Sequence, residues 1–237
     1  LTTFFFKLCR YLRMPVSLVF VADGPGCPSE KQGKAVNNTH VKWQMNHVRE
    51  LALMFGFHWH QAPGEAEAEL AYLNQQGIID AILTEDSDTL VFGGKCIIQR
   101  YFLTCNANFK SSFEGIVYTE EHIKSVTSLT RGGLILFALL SGGDYSSGLE
   151  RFGPKTAYAL ACAGFGDTLI DAVETMTMED LQDFLSDWRQ SLCDELESNA
   201  QRILLHSAPL LAASVASANF PDINVLQLYA LPVTSGS

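Results

Sequence analysis

The chain opens on apolar residues at helical spacing, with Phe4, Phe5, Leu8 and Leu12 on one face. Pro15 predicts that this helix stops before the largely apolar run at residues 16–21, which reads as a buried strand. Residues 24–39 are rich in Gly, Pro and polar side chains and read as a loop. Thr39 is placed to cap a helix that runs to about Phe55 and carries Val41, Met45, Val48, Leu51 and Ala52 on one face. A short segment at 57–61 leads to Pro63 and to a second helix between Gly64 and Gly77. Residues 78–83 and 96–102 read as further strands, and residues 119–126 and 131–140 as helices. From residue 156 the pattern is helical and ends in a Pro-punctuated coil. Strands alternating with helices over the first hundred residues predict an α/β fold with a mostly parallel sheet covered on both faces.

Composition narrows this picture. The 237 residues can bury one large domain, or one and a half, and 47% hydrophobic with 18% charged residues is a globular composition. A net charge of −10 argues at first against a nucleic-acid partner, because such affinity rests on Lys and Arg neutralising phosphates. The charge is unevenly spread. Residues 1–155 hold 14 Lys and Arg against 15 acids, whereas residues 156–237 hold only Arg189 and Arg202 against 11 acids. Cysteines at 9, 27, 96, 105, 162 and 193 form no C-x-x-C pair and no zinc spacing, which predicts a reducing compartment rather than a disulfide framework. The apolar start is broken by Lys7, Arg10, Arg13 and Pro15, and the run after it is too short to span a bilayer, so no membrane partner is expected. Because Leu1 falls inside an amphipathic pattern, residues upstream of it are expected to be missing.

The chemistry is carried by carboxylates at short fixed spacings. Glu65 and Glu67 lie in PGEAEAE, Asp86 and Asp88 in LTEDSDTL, and Asp23 and Asp144 end the runs VFVADG and LLSGGDY. Acids this close raise one another's pKa unless cations neutralise them. Hard divalent cations such as Mg²⁺ take oxygen ligands from a few carboxylates and a substrate phosphate. Two such ions can stabilise both the attacking and the leaving oxygen of a phosphoryl displacement. Ligands of parallel sheets gather beyond the carboxyl ends of the strands, where Asp23, Asp86 and Asp88 are predicted to lie. With the six acids set aside as metal-compensated, residues 1–155 keep an excess of five cations. The bland reading of an isolated E-x-E or D-x-D is a solvated face, but here both pairs adjoin predicted strands or helix starts. His58 and His60 bracket Trp59 at strand spacing and read as an ordinary strand face without neighbouring carboxylates.

The blocks VFVADG, APGEAEAELAYL, ILTEDSDTLVFG and LLSGGDYSSGLERFGPKTA, in this order, resemble the XPG/flap endonuclease family of structure-specific nucleases. The similarity spans about residues 1–165. The short gap from Asp23 to Glu65, and stretches such as AGFGDTL, WRQSL and VLQLYALPV, resemble the Holliday-junction resolvase branch, particularly its fungal members. The resemblance implies a PIN-like nuclease core over residues 1–127, followed by a helical DNA-binding region over 128–237 with a helix-hairpin-helix-like element. It implies that Asp23, Glu65, Glu67, Asp86, Asp88 and Asp144 hold two Mg²⁺ ions, for which Mn²⁺ can substitute, and that Lys31 and Lys34 act at the scissile phosphate. It further implies DNA contacts from Gly148, Arg151, Gly153, Lys155 and Thr156, with K⁺ at that element, and action in the nucleus on branched double-stranded DNA, with transient homodimerisation on junctions. The products would be a 5′-phosphate and a 3′-hydroxyl.

Two departures accompany the resemblance. The family has one more Asp, after a strand that would precede Leu1, and Arg151 stands where the family usually has the middle Gly of its hairpin. A junction-binding fragment impaired in catalysis is therefore the alternative expectation. An aspartyl phosphatase built on Asp86-Ser87-Asp88-Thr89 is a weaker one, since that chemistry expects Thr one position later and gives GEAEAE no role.

Overall fold

The computed structural model describes the backbone of all but residues 29, 32–33, 36–38, 106–110 and 218–219, and the side chains outside 29–43, 100–113 and 218–219. The expected amphipathic helix is α1 (Thr2–Tyr11), followed by β1 (Val19–Ala22). A short antiparallel pair, β2 (Glu30–Lys31) and β3 (Lys34–Ala35), lies in the segment read as loop. Then come α2 (Thr39–Met54), β4 (His58–Gln61), α3 (Ala66–Gln75), β5 (Ile82–Leu83), α4 (Asp88–Val91), β6 (Cys96–Cys105) and β7 (Ser111–Thr119). The remainder is helical: α5 (Glu120–Thr127), α6 (Arg131–Ser141), α7 (Pro154–Cys162), α8 (Phe165–Thr175), α9 (Met178–Ser198), α10 (Pro209–Ser217) and α11 (Ile223–Ala230). The α/β class is as expected. The described strands form small sheets: β1 pairs with β4 in parallel, and β5 pairs in parallel with β6, which pairs antiparallel with β7.

Besides the β2–β3 pair, two elements differ from the pattern reading. Residues 78–83 give only the two-residue β5, and Ile78 is exposed. The cause is the buried Asn74, whose Nδ2 donates to the carbonyls of Ile79 and Asp80 at 3.0 and 3.2 Å. Its Oδ1 accepts the N–H groups of Lys95 and Cys96 at 2.8 and 2.9 Å. One amide thus turns the chain after α3 and fixes where β6 starts, leaving little length for a strand between. β7 was not foreseen, because SSFEGIVYT alternates only weakly and owes its pairing to β6.

The C-terminal helices follow their caps. Thr119, Thr130, Thr177 and Asp222 each accept N–H groups of the first turn that follows. Around α6, which buries Ile135, Leu136, Leu139 and Leu140, one apolar cluster takes in residues of α7 to α11 together with Ala68 and Ala71 of α3 and Phe92 after α4. The helical region therefore supports the two elements that bear the central acid pairs. No single helix among the described residues is long and apolar enough to cross a membrane. The five described cysteines are free thiols.

Replacing Asn74 by Ala removes four hydrogen bonds and strands buried backbone groups. Urea denaturation is expected to show a loss of about 2–3 kcal/mol; a change below about 0.5 kcal/mol would mean that the loop holds itself.

Candidate functional site

Four separate segments bring their acids to one place. Asp23 follows β1, Glu65 and Glu67 open α3, Asp86 and Asp88 surround the start of α4, and Asp144 lies in the turn after α6. All six line a single cavity of about 700 Å³. The first two segments are locked together. Glu65, the residue before α3, makes no side-chain cap; instead Asp23 Oδ1 accepts the Ala66 N–H at 2.9 Å and caps the helix from the neighbouring strand. The N–H groups of Gly24 and Gly26 donate to the carbonyls of Gly64 and Pro63 at 2.7 and 2.8 Å. A Cβ on Gly24 would overlap the Ala62 carbonyl, so this close crossing of two loops requires glycine. The third segment is built by the D-x-D itself: Asp86 Oδ1 accepts the Asp88 N–H at 2.9 Å, and the Thr89 hydroxyl donates to the Asp86 carbonyl at 2.8 Å.

The electrostatics register the crowding. Burial pushes the Glu67 carboxyl above the ordinary Glu range, and the charges of Asp23, Asp86 and Glu65 push it further. Glu65 is buried at 6% exposure, with the Cys27 thiol 3.8 Å from its Oε1. Convergent carboxylates whose mutual repulsion calls for positive charge are the donor chemistry of hard divalent cations, so the residues fit Mg²⁺ or Mn²⁺. Even so, among the described residues no three His, Cys, Asp or Glu groups are close enough to form a ready-made metal cage. Mg²⁺ commonly keeps several waters and takes one or two carboxylates with a substrate phosphate, which suits so open a donor set.

The other expected residues fall into two groups. Lys31 and Lys34 pair with each other through the backbone of the β2–β3 hairpin, and their side chains lie outside the described residues. Gly148, Arg151, Gly153, Lys155 and Thr156 do not line the acid cavity; they form the turn and helix start that follow the Asp144 loop. Gly153 precedes α7, Pro154 occupies its first turn, and Lys155 in the same turn is exposed. Arg151 has φ +67°, in the left-handed region that favours glycine.

Four residues were missed in the sequence. Arg49 of α2 lines the cavity opposite in sign to the six acids, and Trp59 of β4 lines it too, its indole N–H having no partner among the described residues. His60, read as lacking a carboxylate neighbour, has one: its Nε2 lies 2.7 Å from Glu69 Oε1. Glu69 is fully buried. Its burial favours the neutral acid, but hydrogen bonds from the Ser235 hydroxyl and N–H and from His60 outweigh that and hold it below the ordinary Glu range. The third acid of GEAEAE was the available signal, since an acid at this helix position faces inward and needs partners.

Residues 56–144, from just before β4 to the last acid of the cavity, match the family model of the XPG I-region. The chain thus carries an XPG I-region. It is 28% identical over 224 residues to flap endonuclease GEN homolog 1 of Mus musculus, a match covering 87% of this chain and 23% of that protein. It superposes on the eukaryotic junction-resolving enzyme GEN-1 bound to cesium with a TM-score of 0.79 at 33% identity, covering 99% of this chain and 52% of the other. The Holliday junction-resolving enzyme GEN1 in complex with product DNA and Mg²⁺ superposes with a TM-score of 0.73 at 33% identity, over 99% of this chain and 51% of that one. The chain thus spans less than a quarter of the mouse relative and about half of these solved chains.

Arg151→Gly relieves a left-handed backbone on an exposed side chain. It is expected to raise stability by about 1 kcal/mol in chemical denaturation; a neutral or destabilising result would show that the Arg151 side chain contributes contacts that offset the strain.

Proposed function

We propose that this chain is the catalytic part of a divalent-metal-dependent, structure-specific DNA endonuclease that resolves branched DNA, foremost four-way junctions. The observation that carries the reading is the convergence of six carboxylates from four segments on one cavity. The match of residues 56–144 to the XPG I-region and the likeness to the GEN1 complex with product DNA and Mg²⁺ support it.

In this reading Asp23, Glu65, Glu67, Asp86, Asp88 and Asp144 hold two Mg²⁺ ions, directly or through water. When bound, such ions lower the pKa of a water and stabilise charge on the scissile phosphate. The chain's own part is positioning. The cap between Asp23 and α3 and the turn between Asp86 and Asp88 fix the carboxylates before substrate arrives. Arg49 offers a guanidinium to a phosphate oxygen across the cavity, and Lys31 and Lys34 serve the same phosphate. Hydrolysis leaves a 5′-phosphate and a 3′-hydroxyl.

Residues 1–127, joined by Asp144 from the turn after α6, then supply the chemistry, and the remainder of residues 128–237 the grip on duplex. Gly148, Arg151, Gly153, Lys155 and Thr156 present the N-terminus of α7 to the backbone of the DNA, a natural phosphate site, with K⁺ at the turn. Contacts of this kind position the duplex without reading its sequence. Symmetric cutting of a junction needs two active sites, hence a transient homodimer on DNA, and repair by such cutting places the protein in the nucleus.

A second reading is junction binding without cleavage, favoured by the lack of a closed three-ligand group among the described residues. Incubating a labelled four-way junction with the chain in Mg²⁺ or Mn²⁺ decides between them. Metal-dependent cutting is expected, reduced by about a hundredfold or more in Asp86→Ala. Cutting retained in that variant removes Asp86 from the site, and tight binding without cutting at any metal concentration favours the second reading.

A further inference from the structure

The segment that follows α11 crosses back over the loops that carry the first acids. Val233 lies against Gly64, where a Cβ would come within 2.6 Å of the Val233 carbonyl, and Gly236 lies on the ring of Tyr72 in α3. Between them Ser235 bonds to Glu69 twice: its hydroxyl donates to Oε1 at 2.6 Å and its N–H to Oε2 at 2.8 Å. A local turn sets up that N–H, since Thr234 N–H donates to Ser237 Oγ at 2.9 Å and Ser237 N–H to the Thr234 carbonyl at 3.1 Å. The other end is anchored as well. Arg131 donates to the carbonyls of Tyr229 and Ala230 at 3.2 and 2.9 Å, closing the C-terminus of α11. Tyr229 is buried against Tyr145, the neighbour of Asp144, at 4.7 Å between ring centres, and against Phe92 at 6.0 Å.

We propose that Glu69 is a positioning residue that fastens residues 231–237 as a strap across the crossing of the Asp23 and Glu65 loops, so that the C-terminal helices hold the carboxylate site in register. As far as it concerns metal, the proposal rests on the reading above. Glu69 takes no part as a ligand. Its fully buried carboxylate, two residues after Glu67 on the same helix, joins α3 to a segment 166 positions away. A strap seated on Val233 and Ser235 presses on Gly64, whose carbonyl receives the Gly24 N–H, and so bears on the loop bonds that set Asp23 against α3. In a crowd of repelling acids, that contact opposes the spreading of the loops.

Three amides report on this crossing: Gly24, Gly26 and Ala66, bonded to Gly64, Pro63 and Asp23 respectively. Hydrogen exchange of the metal-free 237-residue chain is therefore compared for the unsubstituted protein, Ser235→Ala and Ser235→Thr, which keeps the hydroxyl. Ser235→Ala is expected to speed exchange at all three amides by about tenfold, the loss of one bond to a charged group. Ser235→Thr is expected to stay at the original rates. Isothermal calorimetry with Mg²⁺ gives the second readout, with affinity about tenfold weaker in Ser235→Ala and restored in Ser235→Thr. Faster exchange at the Ser235 position alone, with Gly24, Gly26 and Ala66 unchanged, would overturn the proposal and leave the strap a passive end. If the unsubstituted chain binds no Mg²⁺, the metal reading fails, while the exchange rates still decide whether the strap holds the crossing.

Discussion

Mutual repulsion among carboxylates is the constraint around which this molecule is arranged. Six acids open onto one cavity, and one of them, Glu67, is driven toward its neutral form by burial and by the charges of Asp23, Asp86 and Glu65. Left to themselves, loops carrying such charges would separate. The fold opposes this with short, directed contacts: the cap that Asp23 gives α3, the paired amides of Gly24 and Gly26, and the turn closed by Asp86 on Asp88. Each of these uses backbone N–H groups, which favour carboxylate oxygens or carbonyls without adding a competing charge. The positive charge that would complete the arrangement is largely left to what binds there.

Support for those loops comes from far along the chain. The apolar cluster centred on α6 includes Ala68, Ala71 and Phe92, so the helices proposed to grip DNA share a core with the helix that bears Glu65 and Glu67. Glu69 and Ser235 continue the same connection at the surface of that core. Packing of this kind makes a shift in the helical region costly for the cavity, because close-packed interiors transmit displacement rather than absorb it.

Much of this was legible in the sequence, and the exceptions have physical reasons. The six acids could be singled out because each ends an apolar run or starts a helix, where a charge has no packing role. Pro15 marked the limit of the first helix by backbone chemistry that holds in any context. Residues 78–83 misled because their apolar run suggests a strand, while Asn74, five residues upstream of Ile79, takes up the carbonyls that a strand would need. β7 depends on its partner β6 rather than on its own alternation. Arg49 and Trp59 join the cavity only through the packing of α2 and β4, and no local spacing announces that. The partner of Glu69 lies 166 residues away, and a pairing at that distance leaves no mark in either segment.

The central claim is that these carboxylates form a cation site, and anomalous scattering from crystals of the chain soaked in Mn²⁺ tests it most directly. The expected result is Mn²⁺ density inside the acid cavity, with oxygens of Glu67 and Asp86 at coordination distance, about 2.2 Å. An empty cavity at millimolar Mn²⁺, or density confined to the acidic surface of the C-terminal helices, would contradict the account.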